Sequence, residues 1–190
     1  MKIDPAAIAF DVDGVVADTM HLMLAIAAGK YGVSHLRYED IYCYELARCL
    51  DIREDLLTRI ITDLIDGSYT IPLASVDGAV DVLRRLVQYR DPLLFVTARP
   101  YPGPMERWLP DTLGLPVERI DLVSTGAFDA KVEVLLERGI SWFMEDRLDT
   151  CYLLNDAGIT PILYCQPWNR EAHPFVEITH WSELDRLIAW

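Results

Sequence analysis

Two carboxylates, Asp11 and Asp13, stand two residues apart in Phe10-Asp11-Val12-Asp13-Gly14, directly after the apolar run Ile8-Ala9-Phe10. A short apolar run of this kind reads as a buried strand, so the acids leave its carboxyl end. In open α/β sheets, ligands bind outside the carboxyl ends of the strands. In an extended or looping segment, residues i and i+2 can address one small site together. Two aspartates that close repel each other, and a cation is their natural third member. A surface turn rich in Asp and Gly would use the same residues but would not directly follow a buried strand. A calcium loop of the EF-hand kind fails on spacing. Its fifth and twelfth positions, counted from Asp11, would be Val15 and Leu22, which carry no side-chain oxygen.

Three later segments carry further candidates. Thr97-Ala98-Arg99-Pro100 follows the apolar run Leu93–Val96. A hydroxyl and free backbone N–H groups there can cradle a phosphate, although a threonine ending a strand is commonplace by itself. Lys131 opens the helical pattern Val132–Arg138, after Ser124-Thr125-Gly126. A lysine at a helix N-terminus opposes the macrodipole, and alone it reads as an ordinary solvated lysine. Glu145-Asp146-Arg147-Leu148-Asp149 follows Ser141–Met144. Carboxylates at a strand's carboxyl end suit a metal, whereas Asp146 or Asp149 could equally cap a helix over Thr150–Ala157.

The elements that must position these residues alternate. Ile8–Phe10, Leu93–Val96, Ile120–Val123, Trp142–Met144 and Pro161–Tyr164 read as strands apolar on both faces, as in a parallel sheet covered by helices. Ala79–Tyr89, Val132–Arg138 and Thr150–Ala157 read as helices between them. The expected fold is therefore α/β: a Rossmann-like doubly wound sheet of about five parallel strands with helices on both faces. One connection is too long for it. Asp13 and Thr97 lie 84 positions apart, against roughly 30 or more for a whole βαβ unit. The excess reads as helices over Met20–Lys30, Glu39–Leu50 and Arg53–Ile65, stopped by Asp66-Gly67-Ser68. We expect a small helical cap, residues 19–74, inserted after the first strand of a core formed by residues 1–18 and 75–190.

Composition sets the outer limits. The 190 residues are 52% hydrophobic and 25% charged, which is ordinary for a globular chain. Thirty acidic residues against 17 basic ones give a net charge of −13. No basic face is available for a nucleic-acid polymer or an anionic membrane surface. An acidic protein can still handle an anionic small molecule if a metal supplies the positive charge locally. Cys43, Cys49, Cys151 and Cys165 form no metal-binding pair and read as reduced thiols of a cytoplasmic protein. No apolar stretch is long enough to span a membrane, and the N-terminal run, broken by Asp11, reads as neither signal nor anchor.

The ordered set Asp11-x-Asp13, Thr97, Lys131 and Glu145-Asp146, each at or after the end of a successive strand, resembles the haloacid dehalogenase-like superfamily across the whole chain. Response-regulator receivers share some of these residue types but place the acids on different strands and lack the long insertion. Val96–Pro100, Trp108-Leu109, Glu145–Arg147 with Asp149-Thr150, Gln166-Pro167-Trp168-Asn169-Arg170 and the tail Trp181–Leu184 are similar to the cytosolic 5′(3′)-deoxyribonucleotidase-like branch. The resemblance implies that Asp11 is a nucleophile and Asp13 a general acid/base. It implies that Thr97, Ala98 and Lys131 bind a phosphoryl group. Mg2+ would be held by Asp11, the Asp13 backbone carbonyl and Asp146, with Glu145 reaching it through water. The implied activity is magnesium-dependent hydrolysis of a small phosphate monoester through an aspartyl-phosphate, with a 5′-nucleotide as first candidate. A phosphotransferase or phosphomutase using the same intermediate, and a non-catalytic binding protein with this fold, are the alternatives. Tyr38, Tyr42, Tyr44 and Tyr69 are candidates for an aromatic base pocket, although aromatic residues on helices more often belong to the core.

Overall fold

A computed structural model describes residues 2–190. Ile8–Phe10 (β1) buries all three side chains and lies inside a six-stranded parallel sheet. The other strands are Leu93–Thr97 (β2), Ile120–Ser124 (β3), Trp142–Glu145 (β4), Thr160–Tyr164 (β5) and Val176–Ile178 (β6). Their order is β3-β2-β1-β4-β5-β6. The chain therefore winds outward from β1 in one direction through β2 and β3, then returns to β1's other side and continues through β4, β5 and β6. The reversal at β1 and β4 is a topological switch point, the position at which open α/β sheets bind ligands. Phe10 stands in register with Phe95 of β2 and Met144 of β4, so the acids that follow β1 emerge level with the ends of both neighbours.

Alternation along the strands divides the core between the two faces. Phe10 and Phe95 face one side and pack with Leu83, Leu109 and Trp181. Ala9, Leu94, Val96 and Phe143 face the other and pack with Leu135 and Leu154. The first layer uses Ala79–Leu86 (α4), Met105–Leu113 (α5) and Trp181–Leu187 (α8). The second uses Lys131–Glu137 (α6) and Leu148–Asp156 (α7). Helices cover both faces, as the strand pattern predicts.

The sheet has six strands rather than about five. β6 is the addition: Val176 and Ile178 pair with β5 at the sheet edge on either side of the exposed Glu177. Three residues with one polar member leave no apolar run to detect. Two core helices also lay outside the sequence pattern. α5 carries Pro110 in its interior, a residue that ordinarily argues against a helix.

Between β1 and α4 stand Thr19–Tyr31 (α1), the single turn Leu46–Cys49 (α2) and Glu54–Asp66 (α3). Leu57, Ile60 and Leu64 of α3 bury against Leu22, Met23 and Ile26 of α1, forming an apolar cluster separate from the sheet. The inserted segment leaves and returns at one point. Asp18 N–H donates to Ala74 O (2.9 Å) and Val76 N–H to Val16 O (2.8 Å). The helix expected over Glu39–Leu50 is absent. A 3-10 turn at Tyr38–Asp40 and the single turn α2 take its place. Within that stretch only Ile41 and Leu50 are buried, and they are too far apart to form the continuous stripe a packed helix needs.

Candidate active site

β1 ends at Phe10, and Asp11 is held there by its N–H bond to Met144 O of β4 (2.9 Å). The carboxylate turns back so that Val12 N–H donates to Oδ1 (2.7 Å). Gly14 makes the turn that follows. It adopts φ +73°, and a Cβ on it would lie 2.2 Å from Asp146 Oδ2. The loop after β1 thus approaches the loop after β4 more closely than any side chain at position 14 would permit.

Lys131 is fully buried at the start of α6, not solvated. Its Nζ lies 3.0 Å from Asp11 Oδ1 and 2.8 Å from Glu145 Oε2. Burial would lower its pKa, but these two carboxylates together outweigh that and hold it above its ordinary value. Glu145 spends its other oxygen on the N–H groups of Asp146 (3.1 Å) and Arg147 (3.0 Å). Burial alone would raise the Glu145 carboxyl. The Lys131 ammonium prevails and keeps it ionised.

Asp11, Glu145 and Asp146 each offer an oxygen within 4.8 Å of the others, and all three are buried. One lysine does not neutralise three carboxylates. Burial first, and the Glu145 charge second, push both Asp11 and Asp146 well above the ordinary carboxylate range. A site built from oxygen donors and short of positive charge fits a hard divalent cation. With Glu145 turned to Lys131 and the backbone, Asp11 and Asp146 are the carboxylates left for a cation.

Asp146 is positioned by the segment Gln166-Pro167-Trp168-Asn169. Trp168 Nε1–H donates to Asp146 Oδ2 (3.0 Å), and Asn169 Nδ2 donates to Asp146 O (2.7 Å) and Tyr164 O (2.9 Å). Gln166 Nε2 donates to Gly14 O (2.6 Å), tying this segment to the loop after β1. In the sequence these residues carry a family likeness but no assignable task. Nothing in an isolated Gln-Pro-Trp-Asn string points to an aspartate twenty residues away. Asp149 does not cap a helix: α7 starts at Leu148, so Asp149 lies inside the first turn, where it pairs with Arg147 (3.1 Å) and is largely exposed.

Asp13 turns to the cavity side and is held by Arg99, whose Nε and Nη2 each donate to it at 2.8 Å. Burial would raise the Asp13 carboxyl, but the guanidinium prevails and holds it below its ordinary value. Thr97 Oγ1 is 3.5 Å from Asp13 Oδ2 and accepts from Arg99 N–H (3.2 Å). Asp11, Asp13, Thr97, Ala98 and Arg99 line one wall of a cavity of about 250 Å³. The opposite wall is inserted-segment surface, with Met20, Met23, Tyr44, Leu64 and Ile65. The loop after β3 and the insertion also meet at an aromatic contact. Tyr44 abuts Phe128 edge-on at 5.5 Å, and the Arg147 guanidinium lies over both rings, 4.6 and 4.0 Å from their centroids. Of the four tyrosines singled out in the sequence, only Tyr44 lines this cavity. Tyr38 donates to Gln166 Oε1, and Tyr42 is mostly exposed.

Residues 5–190 match the family described as 5′ nucleotidase, deoxy (pyrimidine), cytosolic type C protein. The chain belongs to this family. As a member of this nucleotidase family it is a phosphoric monoester hydrolase. It is 21% identical over 185 residues to a 5′(3′)-deoxyribonucleotidase of Bacillus subtilis (strain 168), covering 95% of this chain and 97% of that one. The 5′(3′)-deoxyribonucleotidase of Bacillus phage SPbeta matches to the same extent. Among solved structures, CbbY from Rhodobacter sphaeroides in complex with phosphate has a TM-score of 0.61 at 18% identity, covering 97% of this chain and 96% of that one. A haloacid dehalogenase-superfamily hydrolase from Geobacter sulfurreducens has a TM-score of 0.60 at 19% identity, covering 96% and 95%. Both share the fold of this nucleotidase family member. No helix among the described residues is long and apolar enough to cross a membrane.

Proposed function

We propose that this protein is a magnesium-dependent phosphatase that hydrolyses small phosphate monoesters, 5′-nucleotides first among them, through an aspartyl-phosphate on Asp11. The observation that carries the reading is the pairing of Asp11 with buried Lys131 at the switch point, within a cluster of three carboxylates that lacks compensating charge. Asp11, Asp146 and the Asp13 backbone carbonyl would hold Mg2+, whose charge offsets the repulsion between a carboxylate nucleophile and an anionic ester.

Asp11 attacks phosphorus in line, forming an acyl phosphate as the ester P–O bond breaks. Lys131 has three donors and spends two on Asp11 and Glu145, which leaves one for an equatorial phosphoryl oxygen. Glu145 holds Lys131 in place. Thr97 and the backbone at Ala98 border the same oxygens. Asp13, when it carries a proton, gives it to the departing alkoxide, and in the ionised form that Arg99 favours it takes one from the water that cleaves the acyl phosphate.

We further propose that residues 19–74 act as a cap over a core of residues 1–18 and 75–190. The cap limits the substrate: a cavity of about 250 Å³ suits a small ester rather than a phosphoprotein or a nucleic-acid polymer. Its apolar wall of Met20, Met23, Leu64 and Ile65 suits a base or another flat apolar group. The relatives named as 5′(3′)-deoxyribonucleotidases support a nucleotide as substrate, and the family's description supports the cytoplasm as its compartment.

Purified protein should release phosphate from an aryl phosphate, stop in chelator and resume on adding magnesium. Asp11→Asn should form no phosphoenzyme. Undiminished turnover in chelator, or in Asp11→Asn, overturns the mechanism. A panel of nucleoside monophosphates hydrolysed no faster than the aryl ester overturns the nucleotide assignment alone.

A further inference from the structure

Arg99 is a buried cation that the mechanism above leaves without a task. It is 6% exposed and follows the phosphate-side loop after β2. Its Nε and Nη2 meet the two oxygens of Asp13 fork to fork, both at 2.8 Å. Its remaining nitrogen, Nη1, is buried with no hydrogen-bond partner. Other arginine–carboxylate pairs of this fold, such as Arg85 with Asp185 and Arg119 with Asp91, lie on the surface and use one nitrogen each. The Arg99 side chain instead has Asp13 as its hydrogen-bond partner, and both residues line the cavity.

We propose that Arg99 is the positioning residue for Asp13, fixing the carboxylate in the single orientation from which it serves the leaving-group oxygen. The proposal rests on the reading of Asp13 as general acid. A lone carboxylate on a loop rotates about χ1 and χ2, and each rotamer sends its oxygens to a different place. A planar guanidinium binding both oxygens selects one rotamer and one carboxylate plane at once. The fork uses one lone pair on each oxygen, and with Thr97 on Oδ2 the second lone pair of Oδ1 stays available for a proton. Lysine, a point charge, would keep the attraction but not the plane.

A positioning role for an acid depends on the leaving group. An alkoxide leaves only with a proton, whereas a nitrophenolate leaves without one. The experiment compares kcat/KM, which covers the steps through phosphoryl transfer, for an alkyl phosphate and a nitrophenyl phosphate. Arg99→Met should lower the alkyl value by about 100-fold, the cost of a displaced catalytic group, and the nitrophenyl value by less than about 5-fold. Arg99→Lys should fall between Arg99→Met and the unmodified protein on the alkyl ester. In an Asp13→Asn background, adding Arg99→Met should cost little more, because an amide donates no proton and leaves no acid to position. Equal losses on the two esters in Arg99→Met, or independent losses in the double variant, overturn the proposal. If Arg99→Met does not fold, as judged by thermal unfolding, the same comparison on Arg99→Lys decides in the same way. Asp13→Asn measured alone separates the two levels. If it loses both esters equally, the general-acid reading fails and takes this proposal with it. If it selectively loses the alkyl ester and the Arg99 variants do not, only the proposal fails.

Discussion

Lys131→Met replaces the buried ammonium with an uncharged chain of similar length. In the native protein Nζ lies 3.0 Å from Asp11 and 2.8 Å from Glu145, with all three groups out of water. Removing one member of such a set costs about 3–5 kcal/mol, because the partners remain buried and unpaired. The lower end applies here. The Asp11 carboxyl, already pushed upward by burial, can take up a proton and relieve part of the repulsion. About 3 kcal/mol in a chain of this size corresponds to a fall in Tm of about 6–12 °C. Thermal unfolding in chelator, followed by circular dichroism, measures it. The double variant Lys131→Met/Glu145→Gln should recover more than half of the loss, since the stranded charge goes with its partner. Under the proposed mechanism turnover should stay low in both variants, down about 10²–10³-fold, because the equatorial oxygen would lose its donor. A Tm change under about 2 °C for the single variant, or a double variant less stable than the single, would refute the view that Glu145 serves Lys131.

Two further outcomes follow from the acidic cluster and the turn beside it. In magnesium titrations of initial rate, Asp146→Asn should raise the half-maximal concentration by at least about 10-fold, and Asp149→Asn should leave it unchanged; the reverse ranking would move the ligand into α7. Gly14→Ala should lower Tm and weaken the magnesium response together, because its Cβ would lie 2.2 Å from Asp146 Oδ2 in a backbone conformation that alanine adopts only under strain; a variant with native Tm and native magnesium response would show that the loop relaxes freely.

The sheet was legible because its strands are apolar on both faces, a signal that survives without neighbours. Leu93–Val96 and Pro161–Tyr164 each fall within one residue of the observed strand. β6 was not legible, since an edge strand of three residues needs only its partner's hydrogen bonds and carries no run of its own. α5 was hidden by Pro110 and the preceding Pro104, local features that read as breaks until tertiary packing of Met105, Leu109 and Leu113 is known. The inserted stretch between Ile41 and Leu50 erred the other way. Its composition permits a helix, but the chain has little apolar surface to bury there, and it instead brings Tyr44 against Phe128. Propensity is weak where no stripe forms, and tertiary contacts then decide.

The site divides along a similar line. Asp11, Thr97, Lys131 and Asp146 were legible because each follows a strand, and the sheet's register brings the strand ends together whatever the intervening sequence does. What the sequence does not display is how the charges balance. Lys131 taken alone reads as a surface residue, and only its burial between Asp11 and Glu145 makes it part of the site. Arg99 has its acceptor 86 positions away, and Trp168 lies 22 positions from Asp146. Such pairings have no periodicity and no fixed spacing, because they are solutions to a desolvation cost that exists only after folding. Buried charge therefore gives a general route to residues that motifs miss. Each buried or half-buried carboxylate must find a donor, and tracing Asp13, Asp146 and Glu145 to theirs leads to Arg99, Trp168 and Lys131.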